Sequence, residues 1–419
     1  MIIAVTSFAL AMASSLAFAG AISMSWKTDK EPVSYQPGDT MHCIIQLLDD
    51  GQPLAGKTLQ WRRSGDDGVI ATGHAVSSAN QPVVIITSIK QPGFVRLEVD
   101  VLEPDGSSMK APNGEALRFE GGAAAHPEKL LGSTEPADFD AFWERQKARL
   151  AEVTMTAELK EIADARPGFQ IYDVKVACAG KRPLTAYLAI PNGCREKSLP
   201  AQVMFHGYGV SGATIQTSPD RIVLDVGAHG LENGREDSYY KTLEECELKH
   251  YGFNNEENAR PETAYFNGVL LRVMRALQYI KSRPEWNGHD LIVSGPSQGG
   301  FQAIAAAALD PDVTRCEALK PWCCDLTGSQ QGRLRGWRPD NAAGLAYYDT
   351  TSFGKRIKCE TYLLTGLGDD ICPPSGVMLL YLHLQTPNKT IEIKQGENHG
   401  WETAPQSRHQ TLRQQRNQN

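Results

Sequence analysis

The segment that decides the fold covers residues 291–301 and reads Leu-Ile-Val-Ser-Gly-Pro-Ser-Gln-Gly-Gly-Phe. Its apolar start predicts a short buried strand, and the alanine-rich stretch from Phe301 to Leu309 predicts a helix. Between them, Gly295-Pro296-Ser297-Gln298-Gly299 has the G-x-S-x-G pattern, in which a sharp strand-to-helix turn holds a serine hydroxyl above a sheet. A tight structural turn is the alternative, because short patterns arise by chance. The flanking strand and helix favour Ser297 as a nucleophile.

Two later loops carry the partners that such a serine needs. A serine hydroxyl is a poor nucleophile at neutral pH and requires a base that a carboxylate orients, in the chain order Ser, Asp, His. Asp369 and Asp370 lie after one predicted strand, and His399 lies after the last one. Strand-end loops gather at one edge of an open α/β sheet, so we expect His399 to meet one aspartate there. Spacing does not separate the two aspartates, and an ordinary surface histidine is the alternative for His399.

The tetrahedral intermediate of such a reaction needs two backbone N–H donors. The residue after the nucleophile, Gln298, supplies one, and the loop after an earlier strand supplies the other. His206-Gly207-Tyr208 lies on that loop. The sequence therefore places a candidate oxyanion hole between this loop and the serine turn.

The same loop also fits a dinucleotide-binding pattern. Residues 207–212 read G-x-G-x-x-G, and Asp225 follows about where a ribose-binding acid stands in such units. A dinucleotide-binding unit needs a crossover helix before that acid. The segment 213–220 is too short for one and contains Pro219, so we do not predict a dinucleotide site.

The chain divides into two folded units. From residue 138 to residue 404, short apolar strands alternate with helices, which predicts an α/β class domain with a mostly parallel sheet and, with the serine turn, an α/β-hydrolase fold. Residues 23–120 alternate between apolar and polar, most clearly from Val95 to Val101, and predict an all-β sandwich resembling an immunoglobulin-like module. Small and proline-rich residues 121–137 predict a linker, and the polar tail 405–419 is expected to fray.

The N-terminal module contains none of the three candidate catalytic residues. We therefore expect a chain shortened to begin near Gly121 to cleave a small soluble ester still.

Residues 1–19 predict a signal peptide. They carry no charged side chain and end in Ala17-Phe18-Ala19, which fits the small-x-small rule for cleavage. We therefore expect a periplasmic or secreted protein that has no membrane attachment after cleavage.

The overall charge and the cysteines exclude several function classes. Forty-two Lys and Arg against 49 Asp and Glu give a net charge of -7, which argues against nucleic acid or anionic lipid as a partner and favours a neutral substrate. The nine cysteines include no C-x-x-C pair, so no structural zinc site is predicted.

Five motifs in the second unit point to a known family. They are Asp-Phe-Asp-Ala-Phe-Trp at 138–143, Phe-His-Gly-Tyr at 205–208, Gly-Pro-Ser-Gln-Gly-Gly at 295–300, Gly-Leu-Gly-Asp-Asp-Ile-Cys-Pro-Pro-Ser at 366–375 and Asn-His at 398–399. With these motifs the chain resembles the acetyl xylan esterase and cephalosporin-C deacetylase family, carbohydrate esterase family seven. The Asp-x-x-Cys-Pro-Pro segment is the most specific of them.

The resemblance implies a role for each candidate residue. Ser297 would be the nucleophile, His399 the base, and Asp369 rather than Asp370 the third member. The N–H groups of Tyr208 and Gln298 would form the oxyanion hole. The resemblance also implies that no metal or organic cofactor takes part.

One of two departures from the family pattern bears on assembly; the other is Gly400-Trp401 after His399, where the family usually has Glu. Where the family has Arg-Gly-Gln-Gly, this chain has Val226-Gly227-Ala228-His229-Gly230. Loss of the arginine removes a group with five donors that could tie neighbouring loops together, and the N-terminal module adds bulk. We therefore expect a monomer or dimer rather than the hexamer reported for the family.

The residues together with this resemblance predict a serine esterase that removes acetyl groups from acetylated xylan or xylo-oligosaccharides through an acetyl-enzyme intermediate. One alternative is the same fold acting on another bond, as a peptidase or a lactone hydrolase. The other is a non-enzymatic carbohydrate-binding protein, although all three reactive positions are filled.

Overall fold

The computed structural model describes residues 22–111, 114–163, 166–340 and 343–400, and it gives the backbone of residues 409–413. The signal peptide predicted at residues 1–19 lies outside these residues and stays a prediction. Within the described residues, no helix combines the length and the apolar character that crossing a bilayer requires.

The N-terminal unit consists of two antiparallel four-stranded sheets. In one sheet β1, β3 and β6 all pair with β2, and the other has the order β5-β4-β7-β8. The strands are β1 Ile22–Thr28, β2 Met41–Asp49, β3 Gln52–Pro53, β4 Thr58–Gly65, β5 Ala71–Val76, β6 Val83–Thr87, β7 Gly93–Leu102 and β8 Arg118–Ala125.

Alternating side chains of both sheets share one apolar core. Leu97 and Val99 of β7 pack in the same cluster as Cys43 and Ile45 of β2, while the residues between them face outward. Trp26 of β1 stacks on Phe119 of β8, with 3.9 Å between ring centroids. The predicted antiparallel β unit is confirmed, and its immunoglobulin-like topology stays a prediction.

The linker predicted from residue 121 is wrong at its start, because β8 continues to Ala125 and residues 121–125 are buried. The small residues there reflect close packing. A Cβ on Gly122 would lie 2.0 Å from the carbonyl oxygen of Val95, and a Cβ on Gly121 would lie 2.2 Å from Gln395 Oε1. Glycine thus lets this strand approach both its neighbour and the second unit.

The second unit is built on a ten-stranded sheet with the order β18-β17-β16-β15-β14-β12-β13-β11-β10-β9. Its strands are β9 Ala157–Glu161, β10 Phe169–Val176, β11 Leu184–Pro191, β12 Leu199–Phe205, β13 Ile222–Gly227, β14 Trp286–Pro296, β15 Arg315–Leu319, β16 Glu360–Gly366, β17 Lys389–Lys394 and β18 His409–Arg413. Its α-helices are α1 Phe139–Ala151, α2 Asp237–Glu245, α3 Tyr265–Lys281, α4 Gln298–Leu309, α5 Thr350–Gly354 and α6 Pro374–His383.

The central strands β13, β12, β14, β15, β16 and β17 pair in parallel, and the outer pairs are antiparallel. The carboxyl ends of the parallel strands therefore lie at one edge, where the loops after them gather. This architecture confirms the predicted α/β-hydrolase fold with its mostly parallel sheet.

Helix α4 begins directly after the serine turn and is almost entirely buried. It packs between β14, β15 and helix α3. Helix α3 covers residues 265–281, and its apolar residues fill the core. This packing fixes the position of the turn that carries Ser297.

The tail predicted to fray contributes a strand. His409–Arg413 pairs antiparallel with β17 as β18, so the expectation is wrong for these five residues. The outer edge of β17 offers backbone donors and acceptors, and a polar segment satisfies them as well as an apolar one.

Candidate active site

Ser297 occupies a strained turn between β14 and α4, with φ 53° and ψ −119°. Such a conformation is unfavourable for a residue with a side chain, so the surrounding structure must hold it in place. The flanking glycines make the turn possible. A Cβ on Gly295 would lie 2.6 Å from the carbonyl carbon of Gly299, and a Cβ on Gly299 would lie 2.2 Å from the carbonyl oxygen of Phe205. The local sequence thus presents the serine hydroxyl at the edge of the sheet.

Three side chains form a continuous hydrogen-bonded chain at this edge. His399 Nε2 lies 3.0 Å from Ser297 Oγ, and His399 Nδ1 lies 2.9 Å from Asp369 Oδ2. A carboxylate that accepts the Nδ1 proton leaves Nε2 free to accept the serine proton. The structure therefore brings together the serine, the histidine and one of the two candidate aspartates.

Asp369 is fully buried, and its second oxygen is also occupied. Oδ1 accepts hydrogen bonds from the backbone N–H groups of Ile371 at 2.9 Å and Cys372 at 2.7 Å. These bonds aim Oδ2 at the imidazole. The side chain of Asp370 is 57% exposed and lies 4.0 Å from Arg96 Nη2. Asp369 is thus the aspartate that contacts His399.

Lys320 supports the histidine loop from the end of β15. Its Nζ donates to the backbone carbonyl oxygens of Asn398 at 2.6 Å and His399 at 3.1 Å, and it pairs with Glu397 at 2.7 Å. Sequence reasoning missed this residue. The available signal was its position directly after a parallel strand, which it shares with the other site residues.

The two residues predicted to donate to the oxyanion, Gln298 and Tyr208, lie in segments next to Ser297. Gln298 is the first residue of α4, so its N–H has no partner within the helix and lies at the positive end of the helix dipole. Tyr208 follows Gly207 in the loop after β12, and a Cβ on Gly207 would lie 3.8 Å from Ser297 Cβ. The loop after β12 therefore lies next to the serine turn, and the oxyanion hole stays a prediction.

His229 and Tyr251 contact the loop after β12, which is the candidate oxyanion loop. Tyr251 Oη accepts from the Gly209 N–H at 3.0 Å and donates to Gln298 Oε1 at 2.8 Å. His229 Nε2 lies 2.9 Å from the Gly209 carbonyl oxygen, and its Nδ1 lies 2.7 Å from the hydroxyl of Tyr265. Burial lowers the pKa of His229 to about 4, so the neutral ring donates to Gly209 and accepts from Tyr265. His229 stands in the motif that departs from the family.

Asp225 has a structural contact where a dinucleotide site would need a free carboxylate. It is buried, accepts the Thr214 N–H at 2.7 Å and pairs with His206. No helix lies between residues 213 and 220, all of which the structure describes. The Asp225 carboxylate therefore stabilises the loop after β12 through its bonds to Thr214 and His206. The absence of a crossover helix agrees with the prediction that this loop is not a dinucleotide site.

A partly exposed aromatic wall borders the candidate oxyanion loop. Tyr208 and Trp337 are 38% and 36% exposed as whole residues, and their rings meet edge-on at 4.5 Å between centroids. Tyr208 also stacks on Tyr251 at 4.3 Å. The backbone N–H of Trp337 donates to the carbonyl oxygen of Ile371 at 2.9 Å. This hydrogen bond connects the aromatic wall to the loop that carries Asp369.

The family model described as acetyl xylan esterase (AXE1) matches residues 130–331 and 339–415, which make up more than half of the chain. The chain belongs to the acetyl xylan esterase family. This confirms the family predicted from the motifs. Members hydrolyse acetyl esters, so the chain is a carboxylic ester hydrolase.

Three known proteins are similar to this chain. Acetyl esterase Axe7A of Xylanibacter ruminicola is 27% identical over 350 residues, which cover 78% of this chain and 76% of that relative. The solved acetyl xylan esterase of a Paenibacillus species is 24% identical with a TM-score of 0.53 and covers 66% of this chain and 93% of its own. The acetyl xylan esterase 1 of a Thermoanaerobacterium species is 23% identical with a TM-score of 0.54. The match covers 66% of this chain and 92% of that protein. At these identities the two structures show the shared fold alone.

Residues 332–338 interrupt the match to the acetyl xylan esterase family model, and Trp337 lies within them. The N-terminal unit holds this segment. Asp66 Oδ1 accepts from the Leu334 N–H at 3.0 Å and from Ser375 Oγ at 3.2 Å. Burial raises the pKa of Asp66 to about 6. The N-terminal unit therefore contacts the segment that carries Trp337.

Proposed function

We propose that this chain is a serine esterase that removes acetyl groups from acetylated xylan or xylo-oligosaccharides through an acetyl-enzyme intermediate. The observation that carries the proposal is the hydrogen-bonded chain from Asp369 through His399 to Ser297. A serine at a strand-to-helix turn becomes nucleophilic when a neutral imidazole can take its proton.

The residues act in two half-reactions. Ser297 Oγ attacks the acetyl carbonyl carbon while His399 Nε2 takes the hydroxyl proton, and Asp369 stabilises the imidazolium that forms. The N–H groups of Tyr208 and Gln298 stabilise the oxyanion. When the intermediate collapses, His399 returns the proton to the leaving sugar oxygen. Water then attacks the acetyl-enzyme with His399 as base, which releases acetate and restores the serine.

The competing interpretations of the site have less support. A peptidase or lactone hydrolase would use the same triad, but the family acts on acetyl esters. A non-enzymatic carbohydrate-binding protein would not need a strained serine with a complete proton relay. Export remains a proposal supported by the apolar residues 1–19, and a monomer or dimer remains a prediction from the altered motif around His229.

We expect the enzyme to prefer short acyl groups. The acetyl xylan esterase family, to which the chain belongs, acts on acetyl esters, which carry a two-carbon acyl group. On p-nitrophenyl esters, kcat/KM should fall at least about ten-fold from acetate to butyrate, and further for octanoate. Equal or faster cleavage of octanoate, or faster cleavage of an amide analogue, would contradict the acetyl esterase proposal. Measuring acetate release from acetylated xylo-oligosaccharides then tests whether these sugars are substrates.

Trp337 is expected to contribute to sugar binding. The C–H groups of a pyranose ring pack well on an exposed aromatic face, and such contacts are worth about 1 kcal/mol. Trp337→Ala should therefore raise KM for acetylated xylo-oligosaccharides about five- to ten-fold and leave kcat/KM for p-nitrophenyl acetate within about two-fold. Trp337→Phe, which keeps an aromatic face, is the matched control. An equal loss on both substrates would refute a sugar-binding role.

A further inference from the structure

The N-terminal sandwich contacts the loop that carries Asp369. Arg96 of β7 is only 4% exposed, and its Nε donates to the backbone carbonyl oxygen of Gly368 at 2.8 Å. Strand β8 lies against the same residue, because a Cβ on Gly368 would come within 2.4 Å of the carbonyl oxygen of Glu120. The residue directly before the catalytic aspartate is therefore fixed by two strands of the other unit.

The same sandwich residues reach the loop that carries His399. Arg96 Nη2 donates to Glu120 Oε1, and Glu120 Oε2 accepts from Asn398 Nδ2 at 2.6 Å. Asn398 directly precedes His399 in the chain. One buried ion pair thus links the residue before the aspartate to the residue before the histidine.

A further contact fixes the strand that leads into the histidine loop. Gln395 follows β17 and pairs its side-chain amide with the backbone of Gly122 on β8. Gly122 N–H donates to Gln395 Oε1 at 2.9 Å, and Gln395 Nε2 donates to the Gly122 carbonyl oxygen at 2.7 Å. These groups are buried, so the bonds are shielded from water.

We propose that Arg96 and Glu120 are positioning residues of the esterase: they hold the Asp369 and His399 loops in register, which makes the sandwich part of the catalytic unit. The proposal rests on the serine mechanism proposed above. Proton transfer needs the imidazole aligned with both partners, and a displacement of about 1 Å costs about 100-fold in rate. The contacts argue against the expectation that a chain beginning near Gly121 keeps its activity, because such a chain would lack Arg96 and Glu120.

The alternative is that the ion pair only attaches one unit to the other. A buried ion pair is weak evidence for stability, because desolvation of two charges offsets much of their attraction. Attachment alone would not require contact with the residues next to both Asp369 and His399. Stability and catalysis must therefore be measured separately.

The test uses the full chain with Arg96→Met and, separately, Glu120→Gln, which nearly preserves shape. We expect kcat on p-nitrophenyl acetate to fall about 10- to 100-fold while KM stays within about two-fold. The second readout is the rate at which diethyl p-nitrophenyl phosphate modifies Ser297, which depends on the same proton relay and should fall by a similar factor. Arg96→Lys can keep one of the two contacts of Arg96, either with the Gly368 carbonyl oxygen or with Glu120. Its kcat should therefore lie between those of Arg96→Met and the wild-type enzyme.

Arg63→Met is the matched control for a buried arginine. Arg63 lies on β4, is 3% exposed and pairs with Asp67 inside the sandwich. It should lower thermal stability but leave kcat within about two-fold. Folded Arg96→Met and Glu120→Gln variants that keep more than about half of the wild-type kcat would overturn the proposal, as would an equal loss of kcat in Arg63→Met. If the phosphate ester fails to modify Ser297 in the wild-type enzyme, the serine mechanism itself is wrong.

Discussion

Replacing Ser297 by alanine is expected to lower kcat on an acetyl ester by at least about 10⁴-fold while the fold survives. Ser297 Oγ lies 3.0 Å from His399 Nε2 and is the atom that would bond to the acetyl carbon. Alanine keeps a Cβ at the same backbone position, φ 53°, so it adds no new strain. Initial rates on p-nitrophenyl acetate, with circular dichroism to verify folding, measure the effect.

Ser294→Ala is the control for this substitution. Ser294 lies on the same strand, β14, and its Oγ accepts from Gln202 Nε2 at 3.0 Å. Its loss should change kcat by no more than a few fold, because it does not touch the reacting atoms. A well-folded Ser297→Ala enzyme that keeps more than about a tenth of the activity would rule out the serine mechanism.

The local part of the site was predictable from the sequence. The strand-to-helix turn that carries Ser297 needs glycine at 295 and 299, because neighbouring backbone atoms lie within 3 Å of where the Cβ atoms of Gly295 and Gly299 would be. That requirement falls within five consecutive residues, so a short pattern records it. The alternation of strands and helices likewise predicts the parallel sheet, which places Asp369 and His399 at the same edge.

The supporting contacts were not predictable, because they join segments far apart in the chain. Arg96 and Gly368 are separated by 272 positions, and Glu120 and Asn398 by 278. Neither pair belongs to a pattern with fixed spacing. The same holds for Tyr251, whose hydroxyl bridges Gly209 and Gln298. Such contacts follow from the packing of whole units.

The linker prediction shows how composition misleads. Glycine and alanine at residues 121–125 suggest flexibility, yet these residues are the buried end of β8. Small side chains serve a flexible linker and a tightly packed strand equally well. Only the position of the second unit, close against Gly121 and Gly122, distinguishes the two.

The adjacent aspartates offer the sharpest test of the site. Asp369→Asn should lower kcat about 10³- to 10⁴-fold, and Asp370→Asn should change it by no more than about five-fold. Asp369 accepts hydrogen bonds at both oxygens, from His399 at Oδ2 and from the N–H groups of Ile371 and Cys372 at Oδ1. An asparagine must turn its NH₂ group toward one of these sides.

Either orientation of that asparagine damages the site. If the NH₂ faces the imidazole, it stabilises the tautomer with the proton on Nε2, which cannot accept the proton of Ser297. If the NH₂ faces the backbone, two donors oppose it in a buried place. Asp370 has no such constraint, because its side chain is exposed to solvent. Steady-state kinetics of both variants on p-nitrophenyl acetate decide the matter, and a larger loss in Asp370→Asn would show that the wrong aspartate has been assigned to His399.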